Sequence, residues 1–198
     1  TPLRRVAHAP GFRWKWAAAW EEAFGLQYGH PRAKGAGKIV KTRRFLKRYR
    51  GPPPIIGDAY FHSFCDADPD RYLPLLDQFR ANCKLLKQNT RDTPVAAIHI
   101  RRGDVAIPGA EIAYRMTSMD DNARAIETIR SNWPGIDVQV YSQGKPEDFA
   151  GLPGGCTLHL DTDVFETMAA LMNADVLVTA KSSFSYVAAV LSQGTIIF

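Results

Sequence analysis

Arg101-Arg102-Gly103-Asp104 follows directly on the apolar run VAAIHI at residues 95–100. Three kinds of chemistry compete for such a stretch. Paired guanidinium groups at the end of a buried strand can hold phosphate oxygens in bidentate fashion. Arg102-Gly103-Asp104 is also an adhesion tripeptide, and the same letters suit a solvated turn. An adhesion tripeptide needs an exposed, mobile loop tip, whereas this one continues a run that reads as buried, so the phosphate clamp is favoured. The residues behind the other apolar runs point the same way. Gln143-Gly144-Lys145 follows DVQVYS, Asp161-Thr162-Asp163 follows CTLHL, and Lys181-Ser182-Ser183 follows DVLVTA. Cations, paired hydroxyls and carboxylates at strand ends suit a nucleotide bearing a diphosphate. Ser182 and Ser183 would open a helix whose backbone N–H groups and dipole favour an anion. A carboxylate can accept from the donor edge of a purine or from ribose hydroxyls.

The elements that must position these residues are legible from residue 94 onward. Short apolar runs alternate with helical periods: VAAIHI, SMDDNARAIETIRSNW, DVQVYS, CTLHL, DVFETMAALMNA, DVLVTA, SSFSYVAAVLS and TIIF. This alternation, with nearly continuous apolar strands, predicts an α/β fold: a Rossmann-like, doubly wound parallel sheet. Such sheets bind ligands beyond the carboxyl ends of their strands, at helix N-termini. The pattern changes near residue 92. Residues 1–92 read as a mainly helical N-terminal part and residues 93–198 as the nucleotide-binding domain. In the first part, FRWKWAAAWEEAFGL has helical composition with Trp14, Trp16 and Trp20 on overlapping faces. Residues 38–50 suit a short amphipathic helix, which GPPPII breaks. Asp68 and Pro69 read as the N-cap and first position of a further helix, with Tyr72, Leu75, Leu76, Phe79, Cys83 and Leu86 on one face.

Composition bounds the function classes. A chain of 198 residues that is 45% hydrophobic can bury one core, or one plus part of another. No run is apolar and long enough to span a bilayer, and the first residues lack the apolar region of a signal peptide. The absence of an initiator Met and the ending in GTIIF, which reads as the middle of a buried strand, suggest a fragment truncated at its C-terminus. The net charge of +5 favours anionic partners. Much of the excess lies in KIVKTRRFLKRYR, where a solvated helix face is preferred to a nucleic-acid surface because Phe45 and Tyr49 are too few for a stacking platform. KGAGKIV fails the Walker spacing, since Arg32 rather than Gly stands five residues before Gly37. Cys65, Cys83 and Cys156 are widely spaced and read as reduced thiols. His8, His30, His62 and His159 form no metal pair. Asp161-Thr162-Asp163 has the letters of a DxD metal site, but a helix N-cap role for one aspartate is preferred. A histidine inside an apolar strand is ordinarily a core residue; its place before two arginines makes His99 a candidate ligand contact.

HIRRGD is similar to the HxRRxD-type motif of GDP-fucose-dependent fucosyltransferases, the α-1,2 and α-1,6 families and their protein O-fucosyltransferase relatives. DVFETMAALMNADVLVTAKSSFSYVAAVLS resembles the second motif of that group, in the same order and at roughly the same spacing. The resemblance covers residues 94–198. It implies the nucleotide-binding half of a GT-B-type glycosyltransferase, with the first part contributing an incomplete acceptor side. His99 would lie near the guanine or ribose, and Arg101 and Arg102 would clamp the diphosphate while Asp104 orients their loop. Ser182, Ser183 and Phe184 would meet the β-phosphate or the base through backbone amides, and Asp163 or Glu166 would read the guanine edge. The implied activity is metal-independent transfer of fucose from GDP-fucose to a glycan or protein acceptor, with no cofactor and no nucleic-acid partner, and membrane attachment only through segments outside this chain. The alternatives are a transferase using another nucleotide sugar, or a nucleotide-sugar or carbohydrate-binding protein of the same fold without catalysis.

Overall fold

A computed structural model describes residues 19–25, 73–87, 90–107, 109 and 113–198. The chain divides into two compact units, Thr1–Ala81 and Asn82–Phe198. In the first, residues 19–23 are helical, Trp20 stacks on Phe24 at 5.4 Å, and the chain turns at Gly25 with φ 62°. Helix α1, Leu73–Asn82, runs to the unit boundary. Trp14, Trp16, the basic segment 38–50, Cys65 and the Asp68-Pro69 cap lie outside the described residues. The expected apolar face of that helix is corrected in two places. Phe79 is exposed, and Cys83 and Leu86 lie beyond the helix end in a turn, where Leu86 N–H donates to the Cys83 carbonyl. Residues 83–91 belong with the second unit because Asn173 holds them. Its amide donates to Leu85 O at 2.8 Å and accepts from Lys87 N–H at 2.7 Å. Arg91 adds a bond to the Asn173 carbonyl and an ion pair with Asp175 at 3.4 Å.

The second unit is an α/β sheet of five parallel strands: β1 Val95–His99, β2 Asp137–Ser142, β3 Cys156–Leu160, β4 Val176–Val178 and β5 Thr195–Ile197. Their order is β3-β2-β1-β4-β5. Helix α2, Met119–Asn132, joins β1 to β2; α3, Val164–Met172, joins β3 to β4; and α4, Ser183–Leu191, joins β4 to β5. β2 reaches β3 through a short 3-10 turn, Pro146–Phe149, without a crossover helix. β1 is the buried centre. Ala96, Ala97 and Ile98 are fully excluded from water, so their backbone groups bond both neighbours while their side chains fill both faces. β5, by contrast, is a half-exposed edge strand rather than the buried strand expected of TIIF.

Alternation divides the core. Ala96, Ile98, Ile100, Val138, Val140, Val176 and Val178 meet Ile126 and Ile129 of α2 and Phe149 on one face. Val95, Ala97 and Leu177 point the other way, where α3 and α4 bury Met168, Leu171, Met172, Ala188 and Leu191. Each helix stops for a local reason. After α2, Trp133 N–H returns to Ile129 O and Gly135 turns at φ 82°. After α3, Asn173 caps Ala169 O with both its backbone and its side chain. Among the described residues no helix is long and apolar enough to cross a membrane.

Leu171 sits at 0% exposure between α3 and the sheet. Leu171→Ala should destabilise the chain by about 2–5 kcal/mol in urea unfolding; a loss below about 1 kcal/mol would contradict this packing.

Candidate functional site

At the carboxyl edge, the strand order reverses between β1 and β4, so the loops after these two strands leave the sheet on opposite faces and open a crevice. The loop after β1 is tied down before it turns. Ile100 N–H donates to Tyr141 O, and Ser142 hydroxyl donates back to Ile100 O at 2.7 Å. Gly103 then bends the chain at φ 55°, a left-handed conformation that disfavours a Cβ. A Cβ there would also overlap the Gln143 side-chain oxygen, the movable end of a flexible side chain, so the backbone angle rather than space calls for glycine.

The two arginines before that glycine diverge. Arg101 crosses the crevice, donating to the Lys181 carbonyl at 3.1 Å and pairing with Asp104 at 2.9 Å. Its side chain is 17% exposed while that of Asp104 is 52% exposed, so the guanidinium is held in a partly desolvated position and its carboxylate partner remains in water. Arg102 goes to the β2–β3 loop. It pairs with Asp148 at 3.0 Å and lies 5.5 Å above the Phe149 ring. The other Asp148 oxygen accepts from Lys145 N–H at 2.9 Å, so one carboxylate ties Arg102 to the start of the 3-10 turn. A pincer of both arginines on one diphosphate, as the resemblance implies, is not the arrangement of this structure. Arg101 alone spans the crevice.

The helix N-termini facing this edge differ in charge. α2 is capped by Ser118, whose oxygen accepts from Asp121 N–H at 3.1 Å, and carries Asp120 and Asp121 in its first turn. Hydrogen bonding from the Ser118 hydroxyl, helped by Arg124, holds the Asp121 carboxyl below the usual range, so it stays ionised. α3 is capped by Asp163, which accepts from Phe165 N–H at 2.8 Å and Glu166 N–H at 3.2 Å, with Glu166 in the first turn. Both ends therefore supply their own negative charge to the dipole and repel a second anion. α4 has no acidic residue in its first turn. Ser182 caps it by accepting from Phe184 N–H at 3.2 Å, and the fully buried Ser185 fixes the approach, its hydroxyl 3.1 Å from both the N–H and the carbonyl of Ala180. Arg101, itself paired with Asp104, and Lys181 lie beside it, so this end places cations next to a helix N-terminus that carries no acid.

His99 lies under the crevice, its ring 5.5 Å from that of Phe184. Nδ1 is buried without a hydrogen-bond partner. Burial, and secondarily the Arg101 charge, lower its pKa from 6.5 to about 4, so the imidazole is neutral at pH 7. Strand register aligns His99, Tyr141 and His159 in one row, and Tyr141 stacks on His159 at 4.6 Å. Glu166 lies elsewhere. It lines an open groove of about 540 Å³ along the outer side of α3, with Lys84, Lys87 and Arg91 opposite and Phe165 and Ala169 forming part of its wall. Asp163 is occupied as a cap at the end of β3, two strands from β1.

The structure thus brings together His99, Arg101, Asp104, Ser182, Ser183 and Phe184, and sets Arg102, Asp163 and Glu166 apart from them. Lys181 and Ser185 complete the site, while Asp148 lies with Arg102 in the β2–β3 loop. Of these, Ser185 had a sequence signal in its helical spacing from Ser182, and Lys181 in its place after a strand; Asp148 had none. Among the described residues, no group of three or more His, Cys, Asp or Glu side chains converges as a metal site would require. No family model, curated protein or solved structure matches the chain.

Because His99 titrates at 6.5 when unfolded and about 4 when folded, the unfolded chain takes up a proton that the folded chain refuses between these values. Stability should fall as pH drops from about 7 toward 4, by on the order of 2–3 kcal/mol. Urea midpoints of His99→Gln should lack this component, and an identical pH slope in the variant would contradict it. Gly103→Ala should cost at least about 1–2 kcal/mol from its left-handed backbone alone, and the added Gln143→Ala change should recover only the overlap part. A neutral Gly103→Ala would overturn the turn geometry.

Proposed function

We propose that this chain binds the diphosphate of a nucleotide sugar at the N-terminus of α4 and transfers the sugar, most specifically fucose from GDP-fucose, to a glycan or protein acceptor. The observation that carries the reading is the Arg101 bond to Lys181 O, which holds a partly desolvated guanidinium beside the one helix end of this sheet edge that brings no acid of its own. The second support is the resemblance of HIRRGD and the 163–192 stretch to the fucosyltransferase motifs, which lie at the ends of β1 and β4. On this reading the unit Asn82–Phe198 is the donor-binding half of a GT-B-type enzyme.

The chemistry asks little covalent work of the protein. As the bond between sugar C1 and the diphosphate oxygen lengthens, positive charge spreads over the ring and negative charge accumulates on the departing phosphate. Fixed donors aimed at that phosphate stabilise the separated state more than the bound substrate, which lowers the barrier. Arg101 and the Ser183 N–H at the start of α4 serve here as those donors, since Ser182 N–H and Phe184 N–H are held by Ala180 O and the Ser182 hydroxyl, and neutral His99 packs beneath them without adding charge. Asp104 orients Arg101, while Arg102 braces the β1 loop against Asp148 and Phe149. The acceptor hydroxyl attacks C1 from the face opposite the leaving diphosphate, forming the new C1–O bond as the old one breaks and giving up its proton to solvent.

Thermal-shift titration with GDP, UDP, ADP and CMP tests the donor class. GDP should stabilise the chain selectively, and no stabilisation by GDP at millimolar concentration would sink the reading. Arg101→Ala should weaken GDP binding by about 10- to 100-fold, the loss of a charged hydrogen bond, whereas Arg102→Ala should lower the unfolding midpoint with affinity changed less than about threefold. Equal loss of affinity in both variants would restore the two-arginine pincer. GDP binding without turnover of GDP-fucose would favour a binding protein over a transferase.

A further inference from the structure

Beyond the phosphate contacts, the long loop between β1 and α2 carries an aromatic ring that the proposed function does not use. A short 3-10 turn, Ala113–Arg115, presents Tyr114 with 68% of its surface exposed. An exposed tyrosine ordinarily swings freely. Here the hydroxyl accepts from Arg115 Nε at 3.3 Å, which braces the ring, and the backbone carbonyl lies 3.5 Å from Lys181 Nζ, which ties the turn. Lys181 is the residue whose own carbonyl receives Arg101, so a continuous chain of contacts runs from the diphosphate site to the Tyr114 turn within one unit. The Arg115 guanidinium carbon lies 5.7 Å from the ring centroid, which places a cation against the ring and leaves most of its surface open. Ile107 and Met116, both exposed, extend an apolar rim on the same loop.

We infer that Tyr114 is a stacking shelf for the base of the nucleotide whose diphosphate lies at the α4 N-terminus, an assignment that rests on the function proposed above. Three points carry it. The Tyr114 backbone lies one lysine side chain from the loop that receives the phosphates, a separation that a ribose linking phosphate to base can bridge. A braced aromatic loses little freedom on binding, so stacking costs less than for a mobile side chain. Its π-face offers contact to any base, whereas the acidic groups expected to read guanine lie apart, with Asp163 spent as a helix cap and Glu166 in the outer groove. Tyr114 accordingly sets affinity for the nucleoside part, favouring the larger purines, and leaves the diphosphate contacts unchanged.

Isothermal titration of the full chain with GDP and with inorganic pyrophosphate separates the two parts. Tyr114→Ala should weaken GDP by about tenfold and leave pyrophosphate within about twofold, while Tyr114→Phe, which keeps the ring, should bind GDP within about threefold of the unaltered chain. Unchanged pyrophosphate binding also reports that Tyr114→Ala is folded. An unchanged GDP affinity in Tyr114→Ala, or a parallel loss of GDP and pyrophosphate, would overturn the shelf while leaving the Arg101 site standing. Failure of the unaltered chain to bind either probe would overturn the proposed function and the shelf with it.

Discussion

Arg101 donates to the carbonyl of Lys181 across the gap between the central strand and its neighbour, and the carboxyl edge of the sheet is organised around that bond. The gap itself is a topological necessity. The chain lays β2 and then β3 on one side of β1, then returns over the sheet through α3 to lay β4 on the other side. Loops after β1 and β4 therefore part company, and only a long side chain can join them. Arginine suits this place because it stays charged in partial burial and has donors enough to hold Lys181 and Asp104 while still facing a ligand.

Charge distribution then decides which end of the sheet edge accepts an anion. In a dinucleotide-binding fold the phosphates rest on the helix that follows the first strand. Here that helix is α2, and Asp120 and Asp121 occupy its first turn, so the proposed function puts the phosphates at α4 instead. Acids in the first turn of α2 and at the cap and first turn of α3 stabilise those helices and disfavour a second anion there, whereas α4, like α2 capped by a serine, has no acid in its first turn. The cost of building the crevice is visible in His99, whose buried Nδ1 has no partner and whose ring cannot easily be charged.

Much of this was legible in the sequence, and the exceptions have physical causes. All five strands and α2, α3 and α4 follow the apolar runs and helical periods read from the chain, most plainly β1 and β4, whose burial on both faces leaves a nearly continuous apolar run. Residues at the strand ends were identifiable by position alone. The divergence of Arg101 and Arg102 was not legible, because both lie past the end of β1, Arg102 has a non-extended backbone, and their partners depend on loops 40 to 80 residues away, as Asp148 and Lys181 show. The junction at residue 82 was hidden for a similar reason. Cys83 and Leu86 continue the helical spacing of the residues before them, yet Leu85 and Lys87 join the sheet unit through Asn173, more than 80 residues on. Tyr114 lies in a loop without periodicity, where nothing local marks a braced aromatic.

The most direct test of the central claim is a map of backbone amide shifts by nuclear magnetic resonance as pyrophosphate is added to the full chain. The account predicts that the largest changes fall on residues 181–185 and on the Arg101 side-chain Nε–H, with residues 118–121 and 163–166 little affected. Largest changes at the start of α2 or α3, with residues 181–185 unmoved, would contradict it.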